Sequence, residues 1–266
     1  MRFTVLCENT SARPGIVAEH GFSLLIEGDH LKVLFDMGQT NVFAANAAAM
    51  NLSLADVNYA VLSHGHYDHS GGIKTFLEQN PNAPVYVPQL AFGDYYNADD
   101  AFIGVDPSLK CHPRIRYTGD FTPLSPGFSL FTCNDLERAF PVSAFGLTEC
   151  CCNEKMADRF LHEQYLLIHH QGKRILISGC SHKGVENIVS WFQPDIFIGG
   201  FHMMKVDVHQ EEGQKYLEQL ANNLLKHHTV YYTAHCTGTE QYAFLKEKMQ
   251  DCLQYLSCGD TFALGE

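Results

Sequence analysis

Four side chains able to ligate a cation fall within six residues: His64, His66, Asp68 and His69, inside Ser63-His64-Gly65-His66-Tyr67-Asp68-His69-Ser70-Gly71-Gly72. Neutral imidazoles suit zinc, iron, copper or nickel, and a carboxylate suits harder ions. Ligands this close can serve two adjacent ions, His64 and His66 reaching one while Asp68 and His69 reach the other. Gly65 and Gly71-Gly72 give the backbone the freedom so tight a loop needs. The alternative, a histidine-rich surface loop without a shared task, fits poorly beside a strand end.

The flanking elements determine where this loop lies. Asn58 to Leu62 reads as a short buried strand, and Ile73, Phe76 and Leu77 have helical spacing. Upstream, Phe3 to Cys7 predicts a first strand. Phe22 to Glu27 and Leu31 to Asp36 flank Gly28-Asp29-His30, a hairpin signal. Asn41 to Met50 is alanine-rich and helical, and Ala83 to Pro88 reads as a strand closed by proline.

From Gln89 to Phe160 this rhythm fails, with strand candidates left only at Arg114 to Tyr117 and Phe128 to Cys133. Residues 89–160 are therefore expected to form an insertion that covers the site and shapes its pocket, within a single domain spanning 1–266. Cys150, Cys151 and Cys152 are consecutive, so their side chains diverge. Buried or idle thiols are expected there in preference to a metal site.

Regularity then returns. Gln164 to His169 and Arg174 to Ser178 predict a second hairpin, ending in Gly179-Cys180-Ser181-His182. A helix over Val185 to Phe192 leads to a strand over Asp195 to Ile198 and then Gly199-Gly200-Phe201-His202. A long amphipathic helix covers His209 to Lys226, with Tyr216, Leu217, Leu220, Leu224 and Leu225 inward. Thr229 to Thr233 is a strand ending in Ala234-His235-Cys236-Thr237-Gly238. A final helix over Thr239 to Gln250 and a last strand over Leu253 to Ser257 follow. Three strands thus end in histidines, His182, His202 and His235, and parallel strands would place all three on one rim. One such histidine alone would read as a hydrogen-bonded core residue; three beside a metal loop point to one site.

The His-x-His-x-Asp-His pattern, after an apolar strand and before Gly-Gly, resembles the metal-binding signature of the metallo-β-lactamase superfamily. The resemblance implies a four-layer αβ/βα sandwich with one or two divalent metals at the edge of its inner sheets, zinc first, with iron or manganese as alternatives. The motifs ending in His182, His202 and His235 are similar to those of the branch named for dihydropterin ribofuranosyl-aminobenzene phosphate synthase, also called class III metal-dependent hydrolases. His235 matches the superfamily's last ligand and would join Asp68 and His69 at the second ion. Asp36 resembles its first motif, an outer-shell residue that orients ligands, or is an ordinary turn aspartate.

Two departures stand out. Cys180 occupies the position of the usual bridging aspartate, where it either ligates as a thiolate or packs nearby. The usual histidine loop before the second hairpin is missing, although His162 is a conceivable substitute. His182 is expected to supply the third nitrogen to the ion held by His64 and His66. Asp68 and His202 are the residues expected to act in catalysis, His202 by protonating a leaving group or binding a substrate phosphate.

Composition narrows the setting. A net charge of −12 argues against broad affinity for nucleic acid or anionic membrane. No apolar run approaches the roughly 18 residues of a membrane span, and the apolar N-terminal stretch is short for a signal peptide. Ten cysteines in 266 residues, none spaced Cys-x-x-Cys, read as reduced thiols of a cytoplasmic protein. The resulting expectation is a hydrolase that uses a metal-activated water on a small-molecule ester, phosphoester or related substrate. A synthase condensing a phosphorylated pterin-type metabolite with loss of pyrophosphate, and a non-catalytic metal or redox sensor, are the alternatives.

Overall fold

The computed structural model describes residues 1–264 apart from 12, 29 and 153. Its first half contains β1 (Arg2–Cys7), β2 (Ser23–Glu27), β3 (Lys32–Phe35), α1 (Val42–Ala49), β4 (Tyr59–Val61), a single turn α2 (Tyr67–Ser70), α3 (Ile73–Gln79) and β5 (Val85–Pro88). The middle contributes β6 (Asp94–Tyr96), β7 (Ile115–Thr118), β8 (Phe121–Ser125), β9 (Phe128–Phe131), β10 (Thr148–Cys151) and β11 (Glu154–Ala157). The second half runs β12 (Tyr165–His170), β13 (Lys173–Ile177), α4 (Val185–Phe192), β14 (Ile196–Ile198), α5 (Glu211–Leu224), β15 (Val230–Thr233), α6 (Thr239–Met249), β16 (Leu253–Tyr255) and β17 (Thr261–Ala263).

Strict alternation in the central strands creates the layers. Leu24, Ile26, Val33 and Phe35 turn to one face and pack against Leu166, Ile168, Ile175 and Ile177 of the opposite sheet. Their neighbours Leu25 and Leu34 turn the other way, under Phe43 of α1 and Phe76 of α3. Likewise Tyr165, Leu167 and Leu176 lie under Ile188, Leu217 and Leu245 of α4, α5 and α6. Three apolar cores separated by two sheets make the four-layer αβ/βα sandwich.

The sheets share one plan. The first has the order β17-β1-β2-β3-β4-β5-β7 and the second β16-β15-β14-β13-β12-β9-β8. In each, an antiparallel hairpin opens into parallel strands, β3-β4-β5-β7 in one and β13-β14-β15-β16 in the other. The β12–β13 hairpin closes through Gln171 and Gly172, both at positive φ (50° and 75°), which suits a tight two-residue turn. The β2–β3 hairpin pairs Glu27 with Lys32, and Asp29 of its turn lies outside the described residues.

Four expectations change. Residues 89–160 are not wholly an insertion: β7 extends the first sheet, β8 and β9 extend the second, and only β6, β10 and β11 form a separate sheet. Of the two readings of the three consecutive cysteines, buried or idle, burial is excluded, since Cys151 and Cys152 are exposed and Cys150 is half-buried on β10. Leu225 does not face inward. It caps the C-terminus of α5 and is 42% exposed, while Ala221 takes the buried position. Finally, β16 is not the last strand, because β17 follows and pairs with β1. No helix among the described residues is long and apolar enough to cross a membrane.

Candidate metal centre

The site grows from the carboxyl ends of parallel strands, beginning with a buried aspartate. Asp36, just past β3, sits at φ 58° and is fully buried. Its Oδ1 accepts the Ser63 N–H at 2.7 Å, and its Oδ2 accepts the Ser63 hydroxyl at 2.7 Å. That Oδ2 also lies 2.7 Å from Nδ1 of His69. Having given its one proton to Asp36, the Ser63 hydroxyl accepts from Nδ1 of His64, 2.8 Å away. Both imidazoles thereby keep a proton on Nδ1 and are left with Nε2 as the atom that can meet an ion.

The turn that carries these side chains is packed closely. A Cβ on Gly65 would meet the Ala91 carbonyl oxygen at 2.4 Å, so only glycine fits. Asp68 and His69 lie on the helical turn α2, where the loop reading expected irregular chain. The Gly65 N–H donates to Nδ1 of His162 at 2.9 Å, and Nε2 of His162 lies 3.0 Å from Asp158 Oδ2. His162 is therefore no substitute ligand: both its nitrogens are engaged in holding the turn.

Each distant histidine reaches this region from a strand end. His182 brings its Nε2 to 3.2 Å from Nε2 of His64. Glu163 fixes the backbone there, accepting the His182 N–H at 2.7 Å, the Lys183 N–H at 3.0 Å and the Tyr165 hydroxyl at 2.6 Å. Beneath it the Lys183 ammonium is fully enclosed and donates to the carbonyls of Thr132 and Glu163. Burial pushes its pKa down to about 8, against the pull of Glu163.

His235 donates from Nδ1 to Asn9 Oδ1 at 2.8 Å and aims Nε2 at Asp68 Oδ2, 3.2 Å away. Its N–H is held by Glu8 at 2.7 Å. The ring of His202 stands 4.2 Å from that of His182.

Two groups of potential donors result. His64, His66 and His182 offer nitrogens that all lie within 4.8 Å of one another, and so do donor atoms of His20, Asp68 and His235. Cys180 lies between the groups: its Sγ is 3.2 Å from Nε2 of His69, and it also groups with His64 and His69, and with His182 and His202. His20, which sequence reasoning missed, sits 3.3 Å from Asp68 Oδ2. Asp158 and Cys236 were missed as well. Only Cys236 carried a signal, its place in a strand-end motif beside His235.

The electrostatics suit cations. Burial first, then neighbouring imidazoles, holds His64 and His182 well below the ordinary histidine range, and burial lowers His66 to about 4. These rings are neutral at physiological pH. Burial works against a charge on His69 too, but the Asp36 and Asp68 carboxylates outweigh it and hold the pKa at about 9. Burial likewise opposes ionisation of Asp68, yet His69, His20 and His235 together keep its carboxyl well below the usual range.

Nε2 of His66, Nδ1 of His182 and both nitrogens of His202 are buried without a hydrogen-bond partner among the described residues. Neutral imidazoles converging with unused nitrogens fit a divalent ion of the zinc type. The cleft above has a volume of about 320 Å³, and the middle segment lends it Asn97, Asp99, Ile103 and Leu147.

Comparison with known proteins bears on the family and the fold. The family model described as Metallo-beta-lactamase superfamily matches residues 17–124. An uncharacterized protein of Methanocaldococcus jannaschii is 28% identical over 244 residues, covering 88% of this chain and 90% of its own length. The 7,8-dihydropterin-6-methyl-4-(beta-D-ribofuranosyl)-aminobenzene-5'-phosphate synthase of the same organism is 25% identical over 269 residues, 91% of this chain and 89% of the synthase. A solved structure of a metal-dependent hydrolase of the beta-lactamase superfamily superposes with a TM-score of 0.79 and 25% identity over 100% of both chains.

Proposed function

We propose that this chain, whose residues 17–124 match the metallo-β-lactamase superfamily, is a member that hydrolyses a small-molecule ester or phosphoester in its cleft with one or two divalent ions, zinc foremost. The observation that carries the reading is the approach of Nε2 of His182 to within 3.2 Å of Nε2 of His64, beside the unpartnered Nε2 of His66. His64, His66 and His182 would hold one ion; Asp68, His69 and His235 would hold the other. Such ions, when bound, bring the pKa of water near neutrality and draw charge from the bond being broken.

The chain's own residues do the rest. Asp36 and Ser63 orient the imidazoles and keep their protons away from the cleft. His202, with both ring nitrogens free, is placed to give a proton to the leaving group. The apolar side chains of Ile103 and Leu147 exclude water from one wall. All ten cysteines are free thiols, which supports a reducing, cytoplasmic setting. The net charge of −12 supports small molecules over nucleic acid or membrane as partners.

The test is metal analysis of protein purified without chelators, followed by a panel of phosphodiesters and lactones. Stoichiometric zinc and turnover that vanishes in His182→Ala are expected. A structure of the loaded protein with His182 beyond about 4 Å from the ion, against the roughly 2.1 Å of a zinc–imidazole bond, would overturn the assignment. The similarity to the dihydropterin synthase favours a second reading, condensation of a phosphorylated pterin-type substrate. Release of pyrophosphate instead of phosphate or alcohol would identify it.

A further inference from the structure

A second thiol stands beside Cys180. Cys236 follows His235 in a short helical turn, is 6% exposed, and has its Sγ 3.5 Å from the carbonyl oxygen of Cys180. The sulfurs of Cys180 and Cys236 and a ring nitrogen of His235 all lie within 4.8 Å of one another, and all three residues line the cleft. Space for the Cys236 sulfur exists because residue 200 is glycine: a Cβ there would come within 2.3 Å of that sulfur. The Gly199-Gly200 pair after β14 thus makes a cradle for a thiol supplied by the next parallel strand.

We propose that Cys236 is a metal ligand, and that with Cys180 and His235 it forms a two-sulfur position selective for thiophilic divalent ions such as zinc, cobalt or cadmium over magnesium or calcium. Thiolates are soft donors and oxygen-preferring ions bind them poorly. Each thiol loses its proton to solvent as the ion enters, so the net charge brought by the ion is offset by two thiolates. A purely imidazole and carboxylate set would accept manganese or magnesium far more readily. The proposal rests on the reading of the cleft as a metal centre, and specifies the donors that select the ion.

X-ray absorption at the zinc edge of the loaded full chain tests it. Sulfur scattering in the wild-type protein should be halved in Cys236→Ser and halved in Cys180→Ser. An unchanged sulfur signal in Cys236→Ser overturns the proposal. Zinc bound through nitrogen and oxygen alone overturns it while leaving the metallohydrolase reading in place, whereas absence of any bound ion overturns both. Should Cys236→Ser fail to fold, alkylation of the unaltered protein with iodoacetamide, mapped by peptide mass, gives the answer. Zinc should protect Cys180 and Cys236 but not the exposed Cys151 and Cys152. Equal labelling of Cys236 with and without zinc overturns the assignment.

Discussion

Oδ2 of Asp36 lies 2.7 Å from Nδ1 of His69, and both side chains are fully buried. One carboxylate therefore sets the tautomer of His69 directly and that of His64 through the Ser63 hydroxyl. Asp36→Asn keeps the shape but turns one acceptor into an NH2 donor, which must face either the Ser63 N–H or the protons of the Ser63 hydroxyl and His69. It should weaken metal affinity by roughly 10- to 100-fold, the usual effect of losing a partner behind the ligands. Competition with a chromophoric chelator measures this. Unaltered affinity would show that Asp36 serves only the turn.

Asp68→Ala should abolish activity and lower metal content while leaving the fold intact. The carboxylate sits on the helical turn α2 beside His20 and His235, outside the three apolar cores. Mass spectrometry of bound metal and a thermal melt check the two halves of this expectation. Full stoichiometry in the mutant would remove Asp68 from the ligand set.

His202→Ala should lower turnover by roughly 10²–10⁴-fold, the range of acid–base catalysis, with metal content unchanged. Its unpartnered nitrogens belong to no hydrogen-bond network whose loss would propagate. A lost ion in this mutant would instead make His202 a ligand and reopen the assignment of His182.

Metal uptake should depend on pH differently in the two groups. Burial lowers His66 to about 4 and holds His64 and His182 well below the ordinary histidine range, so proton competition there is slight at pH 6–8. His69 is raised to about 9 by Asp36 and Asp68 in spite of its burial, so at pH 7 it carries a proton that an ion must displace. Affinity of the ion held by Asp68, His69 and His235 should therefore fall about tenfold per unit as pH drops below about 9. Calorimetric titration at pH 6, 7 and 8 in buffers of different ionisation enthalpy resolves the two events. Parallel pH dependence at both would contradict the assignment of His69.

The fold was legible where side chains alternate between two buried faces. Leu24, Leu25 and Ile26 announce a strand because each face has a core to meet, and α4 spans Val185–Phe192 as its spacing predicts. β11 was not legible, because Glu154–Ala157 is exposed on both faces and its pairing with β10 leaves no apolar trace. His20 and Asp158 were invisible for another reason. His20 lines the cleft and Asp158 stands behind His162, both from irregular chain, where position depends on tertiary contacts instead of periodicity. His162 misled because a histidine holding a backbone N–H and one ligating an ion have the same letter.

The orientation of His235 draws on the opposite end of the chain: Glu8 and Asn9, 227 and 226 positions earlier, hold its N–H and its Nδ1. During synthesis the chain will have emitted His64, His66 and His182 well before His235, and the β1 segment must wait unpaired at one edge for both β17 and this histidine. The donors of the two clusters emerge in a fixed order, and loss of the last few dozen residues would remove His235 from the second cluster while leaving every residue of the first in the chain.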